Sequence, residues 1–195
     1  TASESPAPGG GSVSAYMGAL GASLGTMVAN LSAHKRGWDD RWEEFSSWAE
    51  RGIQVQKRLL QLVDEDTEAF NMILEAYSLP KKTEAEKKTR ELAVEAATKH
   101  AINVPFTVME TAFSAYDLIT EMIEKGNPSS ITDAAVGALA LRAAIRGAFM
   151  NVRINSRDLK DKDFVNIIIE KGTQIDLESE RKEAELLIKL NKSFQ

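Results

Sequence analysis

The sequence predicts an all-α fold, a multihelical bundle in which a helix of small residues is buried at the centre and surrounded by other helices. Glycine and proline are sparse, and no glycine lies between Gly52 and Gly126. That stretch is rich in Ala, Leu, Glu, Lys and Met, which favour helices. Clusters of β-branched residues are short and lack flanking hairpin turns. Segment 13–31 carries no charge, and a helix without a charged face belongs inside a bundle.

The first two helices are bounded by glycine and proline. A glycine-rich lead over 6–11 precedes the small-residue helix, which ends near Gly37. Glycine inside a helix costs about 1 kcal/mol relative to alanine, so the three glycines of this helix indicate close approach by a neighbouring helix or a ligand. The second helix is long, can bend at Gly52, and stops before Pro80. The helices expected along the chain span 12–33, 39–77, 83–125, 130–155 and 161–191.

The remaining helices have their own boundary signals. Thr83 and Glu86 have the spacing of a capping box, which predicts the start of the third helix. Pro105 should kink or split that helix, because proline lacks a backbone donor and clashes with the preceding turn. Segment 126–128, Gly-Asn-Pro, ends it. The fourth helix is alanine-rich and uncharged over 134–141, and the terminal helix is amphipathic.

Composition indicates one globular domain over 1–195. Hydrophobic residues make up 43% and charged residues 27% of the chain, as in ordinary globular proteins. No apolar run approaches the roughly 20 residues that span a bilayer. Cysteine is absent, which excludes disulfides and thiolate chemistry and fits a cytoplasmic location. With His34 and His100 as the two histidines and a net charge of −5, we expect neither a multi-histidine metal site nor a nucleic-acid partner.

The second helix carries an acid on its apolar face. Asp66 follows Val63 by three residues and precedes Phe70 by four, and both belong to a helically spaced apolar stripe. Asp64 projects more to the side. A carboxylate among packed apolar side chains is costly unless it is hydrogen-bonded, paired or used in chemistry. Asp66 is therefore a candidate proton-transfer group, and the alternative is a structural aspartate that bonds to a neighbouring helix.

Three further segments combine polar groups with helix ends. Gly9, Gly10, Gly11 and Ser12 precede a helix and could turn amide N–H groups toward an anion, or form a flexible linker. Segment 126–133 includes Asn127 and Asp133, for which helix capping is the simpler interpretation. Segment 151–157 places Asn151 and Asn155 on one face, and Arg153 and Arg157 on another. These side chains could bind a heterocycle edge and carboxylates, or cap a solvated helix end.

Together these segments resemble one protein family. They are PAPGGGSVSAYMGALGASLGTMVANLS (6–32), LVDEDTEAFNMILEAYSLPK (62–81), GNPSSITDAAVGALALRAAIRGAF (126–149) and NVRIN (151–155). In this order they resemble the cyclodeaminase domain of the formiminotransferase-cyclodeaminase family, which also includes methenyltetrahydrofolate cyclohydrolases.

The resemblance implies an all-helical, usually dimeric enzyme without a metal. The implied reaction closes 5-formiminotetrahydrofolate to 5,10-methenyltetrahydrofolate with loss of ammonia, with the folate as substrate and no separate cofactor. The alternatives are a methenyltetrahydrofolate cyclohydrolase and a non-catalytic dimerisation domain. A formiminotransferase domain can precede such a domain in a longer chain.

The resemblance also implies roles for individual residues. Asp66 matches the second acid of the family's Asp-x-Asp-x-x-Ala-Phe segment, which makes it the expected catalytic residue. Lys35 and Arg36, with the arginines of segment 151–157, are candidates for holding the glutamate tail of the folate. The residues expected to bind substrate are Gly9, Gly10, Gly11, Ser12, Asp64, Asn127, Asp133, Asn151, Asn155 and Arg153.

Overall fold

The computed structural model describes residues 1–2, 4–5 and 7–194, and within them it contains six α-helices and no strand. The helices are α1 (Gly10–Ala33), α2 (Trp42–Ser78), α3 (Glu84–Ser114), α4 (Tyr116–Lys125), α5 (Ile131–Ser156) and α6 (Lys162–Ser193). Single 3₁₀ turns at Asp39–Arg41 and Pro128–Ser130 lead into α2 and α5. The prediction of an all-α bundle is confirmed.

Helix α1 lies between α2 and α5, and its small residues allow the backbones to approach closely. A Cβ atom on Gly21 would lie 2.9 Å from the carbonyl oxygen of Gly137 and 2.9 Å from Cγ of Leu141. Toward the start of α1, Ser14 meets Gly147 instead, so α1 and α5 run antiparallel. The prediction of close backbone approach is therefore correct.

Burial of α1 is incomplete, unlike the prediction from its lack of charge. The faces toward α2 and α5 are buried, but a third face leaves apolar side chains open to solvent. The exposed large side chains on this face are Val13, Tyr16, Leu20, Met27 and Leu31. Helix α1 is therefore packed between two helices, but one of its faces forms part of the surface of the single chain.

Pro105 does not split its helix, so of the two predicted effects, a kink or a split, the split is wrong. α3 runs without interruption from Glu84 to Ser114, and the break to α4 comes at Ala115. The N–H missing at Pro105 would have bonded to the carbonyl of Ala101. That carbonyl instead accepts a hydrogen bond of 2.8 Å from Nδ2 of Asn155 on α5. A side chain from another helix therefore satisfies the group that proline leaves open.

The start of α3 has the predicted capping box. Oγ1 of Thr83 accepts a hydrogen bond of 3.2 Å from the backbone N–H of Glu86. In return, the Glu86 carboxylate accepts from the backbone N–H groups of Thr83 and Lys82, both at 2.8 Å. These backbone bonds hold the pKa of Glu86 below its ordinary value.

Helix α5 is joined to α6 by a buried charge. The Arg142 guanidinium, with 7% of its side chain exposed, pairs with Asp176 and lies 3.3 Å from Oε2 of Glu180. It also donates to Oγ of Ser179 at 3.2 Å.

Among the described helices, segment Pro128–Ser156 is long and apolar enough to cross a membrane, but its most apolar window is 56% buried within the bundle. Its length and composition match its place in the core.

We expect Gly21→Ala to lower the free energy of unfolding by about 1–2 kcal/mol, because the new methyl group would press on a backbone oxygen that cannot rotate away. Gly18→Ala on the same helix is the matched control. Its Cβ would meet Leu59 methyl carbons at 3.2 and 3.3 Å, which flexible side chains can accommodate. Urea unfolding of both variants measures the difference, and equal stability of the two would contradict this packing.

Candidate functional site

The Asp66 carboxylate lies against the first turn of α1. Its Oδ2 accepts a hydrogen bond of 2.8 Å from Oγ of Ser12, which is buried. Oγ1 of Thr67 lies 3.5 Å from the same hydroxyl. A Cβ atom on Gly11 would lie 2.1 Å from Oδ1 of Asp66, so a residue with a side chain cannot occupy position 11 without displacing the carboxylate. The Asp66 carboxylate therefore packs directly against the glycine-rich first turn of α1.

The helix terminus gives Asp66 a favourable electrostatic environment. The first amide N–H groups of an α-helix have no helical acceptor, and they form the positive end of the helix dipole. The first turn of α1 contains no acidic residue, and the N-cap is Gly9. Asp66 from α2 therefore supplies the negative charge at this end. Its side chain is half-buried, so a ligand can reach it.

Asn151 of α5 lies on the other side of the same turn. A Cβ atom on Gly10 would lie 3.3 Å from Nδ2 of Asn151, which donates to the carbonyl of Gly147 at 2.9 Å. Two successive glycines therefore contact an acid from α2 and an amide from α5. The structure brings together five of the predicted site positions: Gly10, Gly11, Ser12, Asp66 and Asn151.

A cavity of about 640 Å³ follows the same two helices beyond these contacts. Ile73 lies two turns after Asp66 on α2, and Asn155 lies one turn after Asn151 on α5. Helix α3 and the connection from α5 to α6 close the other sides. The lining residues are Ile73, Tyr77, Lys81, Lys87, Arg90, Glu91, Val94, Glu95, Thr98, Asn155, Asp158, Leu159 and Lys160.

Asn155 has a defined orientation in this cavity wall. Its Nδ2 donates to the Ala101 carbonyl, so Oδ1 is the end of the amide left to accept a hydrogen bond. The neighbouring Arg153 is exposed, with its guanidinium 5.9 Å from the ring centroid of Phe149. Asp64 is also exposed. Arg153 and Asp64 therefore lie outside the set of contacts around Asp66.

Asn127 and Asp133 lie at the opposite end of the bundle. The backbone N–H of Asn127 donates to Oγ of Ser32 at 2.8 Å, and its Oδ1 accepts from the N–H of Ser129 at 3.2 Å. Asp133 lies in the first turn of α5. With 1.5 Å of rise per residue, the length of α1 from Ser12 to Ser32 separates the two ends by about 30 Å. Within one chain these two residues do not meet Asp66.

The charged wall of the cavity was not predicted from the sequence. Ile73 and Tyr77 follow Asp66 at the i+7 and i+11 positions, so helical spacing was a usable signal for them. The cations of α3 had no such signal in the sequence, because a charged helix start resembles any solvated helix surface. Among the described residues, no group of three or more His, Asp or Glu side chains is placed to hold a metal ion.

Comparison with known proteins gives consistent matches. The family model described as formiminotransferase-cyclodeaminase matches residues 1–174. A methenyltetrahydrofolate cyclohydrolase of Methylorubrum extorquens is 36% identical over 163 residues, which cover 84% of this chain and 78% of that protein. The formimidoyltransferase-cyclodeaminase of Gallus gallus is 37% identical over 164 residues, which cover 82% of this chain and 30% of that protein.

A solved structure matches over almost the whole chain. The crystal structure of formiminotetrahydrofolate cyclodeaminase from Thermotoga maritima superposes with a TM-score of 0.80 at 26% sequence identity. The match covers 98% of this chain and 90% of that one. The arrangement of helices described above is therefore shared with that protein.

We expect Gly11→Ala to lower the free energy of unfolding by about 1–2 kcal/mol, because the added methyl group forces Asp66 away and breaks its charged hydrogen bond with Ser12. Gly10→Ala is the matched control, since its Cβ would meet Asn151 at 3.3 Å and needs only a small adjustment. Urea unfolding compares them. A Gly11→Ala protein as stable as the control would show that Asp66 is not held in this way.

Proposed function

This chain belongs to the formiminotransferase-cyclodeaminase family, and we propose that it is an enzyme that closes 5-formiminotetrahydrofolate to 5,10-methenyltetrahydrofolate with release of ammonia. The observation that carries the catalytic part of the proposal is the position of the Asp66 carboxylate, and the matched Thermotoga maritima structure, named a formiminotetrahydrofolate cyclodeaminase, supports deamination. The half-buried Asp66 carboxylate is held by Ser12 at the glycine-lined terminus of α1. The cavity lies further along α2 and α5 and begins at Ile73, about 10 Å along the helix axis from Asp66, so a long substrate with its reacting end at Asp66 can extend into it.

The proposed chemistry needs one group that moves a proton between two nitrogens. N10 of the folate attacks the carbon of the protonated formimino group on N5 and forms a tetrahedral carbon that is bonded to N5, N10 and an amino group. Asp66 takes the proton from N10 and delivers it to the amino nitrogen. The carbon–nitrogen bond then breaks, ammonia leaves, and the methenyl cation remains. Such acid–base catalysis contributes about 10²- to 10⁴-fold, and orientation of the two nitrogens adds to it.

Hydrolysis of methenyltetrahydrofolate to the 10-formyl compound is the second candidate. It is favoured by the Methylorubrum extorquens relative, which is named a cyclohydrolase and is matched over 78% of its length. Water would attack the same carbon, and the same carboxylate would accept the water proton and pass it to N5. The bond from the carbon to N5 would then break and leave the formyl group on N10, with the second water proton released to solvent. Assays with each purified substrate distinguish the two reactions. Release of ammonia from 5-formiminotetrahydrofolate supports the first, and loss of the methenyl absorbance without it supports the second.

A non-catalytic dimerisation domain is the third candidate. It predicts no turnover of either folate and no heat of binding in a calorimeter.

The animal relatives are named for two activities, and this chain corresponds to 30% of the length of the Gallus gallus protein. A formiminotransferase domain that supplies the formimino compound is therefore part of the proposed system.

We expect Asp66→Asn to fold normally but to lose cyclisation by at least about 10²-fold, because an amide cannot carry the proton. Glu68→Gln on the same helix is the matched control, since Glu68 is exposed to solvent. Formation of methenyltetrahydrofolate, followed by its absorbance, measures both. Near-normal turnover by the Asn variant would exclude Asp66 as the proton carrier.

The proposal includes a homodimer, as the family resemblance implies. Two neighbouring helices leave large apolar side chains exposed, with Tyr16 and Leu20 on α1 and Val136 and Met150 on α5. A shallow pocket on α1, lined partly by Met27 and Leu31, adds to this surface. Apolar area of this kind is typical of protein–protein contacts, and a second copy of the chain would cover it.

We expect the protein to be a dimer in light scattering and Leu20→Asp to convert it to a monomer, since a charge in an apolar interface is costly. Leu177→Asp is the matched control, because Leu177 is also exposed but lies on α6. A wild-type protein that stays monomeric at high micromolar concentration would refute the dimer.

A further inference from the structure

We propose that the cavity bounded by α2, α3 and the α5–α6 connection binds the aminobenzoylglutamate arm of the folate, with Arg90 receiving a glutamate carboxylate. The inference rests on the proposed function. This is because the folate substrate would bring an aromatic ring and a dicarboxylate to this side of Asp66.

The carboxylates in the cavity wall are already paired. Glu91 forms an ion pair with Lys160, Glu95 lies 3.1 Å from Nζ of Lys99, and Asp158 lies 3.1 Å from Nη2 of Arg157. These acids are therefore neutralised by their own partners. Among the described side chains, Lys81 and Arg90 line the cavity without a carboxylate partner. The cavity thus offers unmatched positive charge.

Arg90 is held in a position suited to a carboxylate. Its Nε donates a hydrogen bond of 3.2 Å to the carbonyl of Tyr77 near the end of α2. Its guanidinium carbon lies 5.2 Å from the centroid of the Tyr77 ring. Both contacts leave the two terminal NH₂ groups of the guanidinium unused. Such a fork binds a carboxylate through two parallel hydrogen bonds.

The rest of the cavity fits an aromatic amide. Ile73, Tyr77, Val94 and Leu159 supply apolar walls, and the volume of about 640 Å³ lies within the range of small-molecule sites. Oδ1 of Asn155 can accept a hydrogen bond from an amide N–H such as the one that joins the benzoyl group to glutamate.

The order of groups along α2 matches the order of groups along the folate. Asp66 comes first, Ile73 follows about 10 Å further along the helix axis, and Tyr77 with its bound Arg90 follows at about 16 Å. With N10 at Asp66, the aminobenzoyl ring bonded to it would lie between Asp66 and Ile73, and the glutamate at the far end of the arm would extend along the cavity toward Arg90.

The cations considered from the sequence are less suitable. Nζ of Lys35 lies 4.1 Å from the Trp38 ring centroid, beyond the far end of α1, and Arg36 follows in the same exposed turn. Arg157 is paired with Asp158. The positions of these residues favour Arg90 and Lys81 as the carboxylate-binding cations.

The experiment uses p-aminobenzoylglutamate, which contains the arm without the pterin. Titration calorimetry should detect binding of this fragment to the whole chain. Arg90→Gln should raise the dissociation constant by about tenfold, as expected for loss of charged hydrogen bonds. Asp66→Asn should bind the fragment like the wild type. Arg181→Gln is the matched control, because Arg181 is exposed on α6 and pairs with Glu185 at 2.7 Å.

A second variant protects the test against a folding defect. Lys81 lies in the connection between α2 and α3, so Lys81→Gln does not alter a helix and should weaken fragment binding by about threefold. If neither variant weakens binding, or if the fragment does not bind while folate is turned over, the cavity assignment is wrong and the proposed reaction stands. Binding that depends on Arg90 without turnover of either folate would retain the cavity assignment and remove the proposed reaction.

Discussion

The close contact between α1 and α5 at Gly21 and Gly137 is the constraint on which the rest of the structure depends. At this point the carbonyl oxygen of Gly137 leaves no space for a side chain on α1. The contact therefore fixes how far α1 can slide along its antiparallel neighbour. A shift of one helical turn would move Ser12 about 5 Å, which is beyond hydrogen-bonding distance of Asp66. Packing in the middle of the bundle thus determines the geometry at its end.

The same constraint explains why α1 has to begin with glycines. Once its register is fixed, its first turn fits between α2 and α5 with Asp66 on one side and Asn151 on the other. A carboxylate against the backbone of a helix N-terminus is stabilised by the free N–H groups and the helix dipole. A single hydroxyl, from Ser12, then suffices to orient it. The acid is therefore fixed at one end of α1, and the cavity lies further along α2 and α5.

Local patterns in the sequence predicted most of the helices and the special position of Asp66, because helix propensity, capping and periodicity act within a few residues. Contacts between residues far apart in the sequence could not be predicted from these local patterns. The effect of Pro105 depends on Asn155, fifty residues later, which bonds to the carbonyl that proline leaves free. The family resemblance grouped Asn127 and Asp133 with the site, but motif order along a chain does not give distance. In an antiparallel pair, the start of α5 lies at the end of α1.

The two candidate reactions make the same demand on this site. In deamination the carboxylate carries a proton from N10 to a departing amine, and in hydrolysis it accepts a proton from an attacking water. Both need a group that accepts a proton, and both pass through a carbon bonded to N5 and N10, so the position of the Asp66 carboxylate is equally suited to either reaction. Binding of the folate arm in the cavity would also be common to both. Selectivity must then come from groups that contact the third substituent of that carbon, amine or water. Such groups must lie within reach of Asp66, where Ser12 and Thr67 are the nearest hydroxyls.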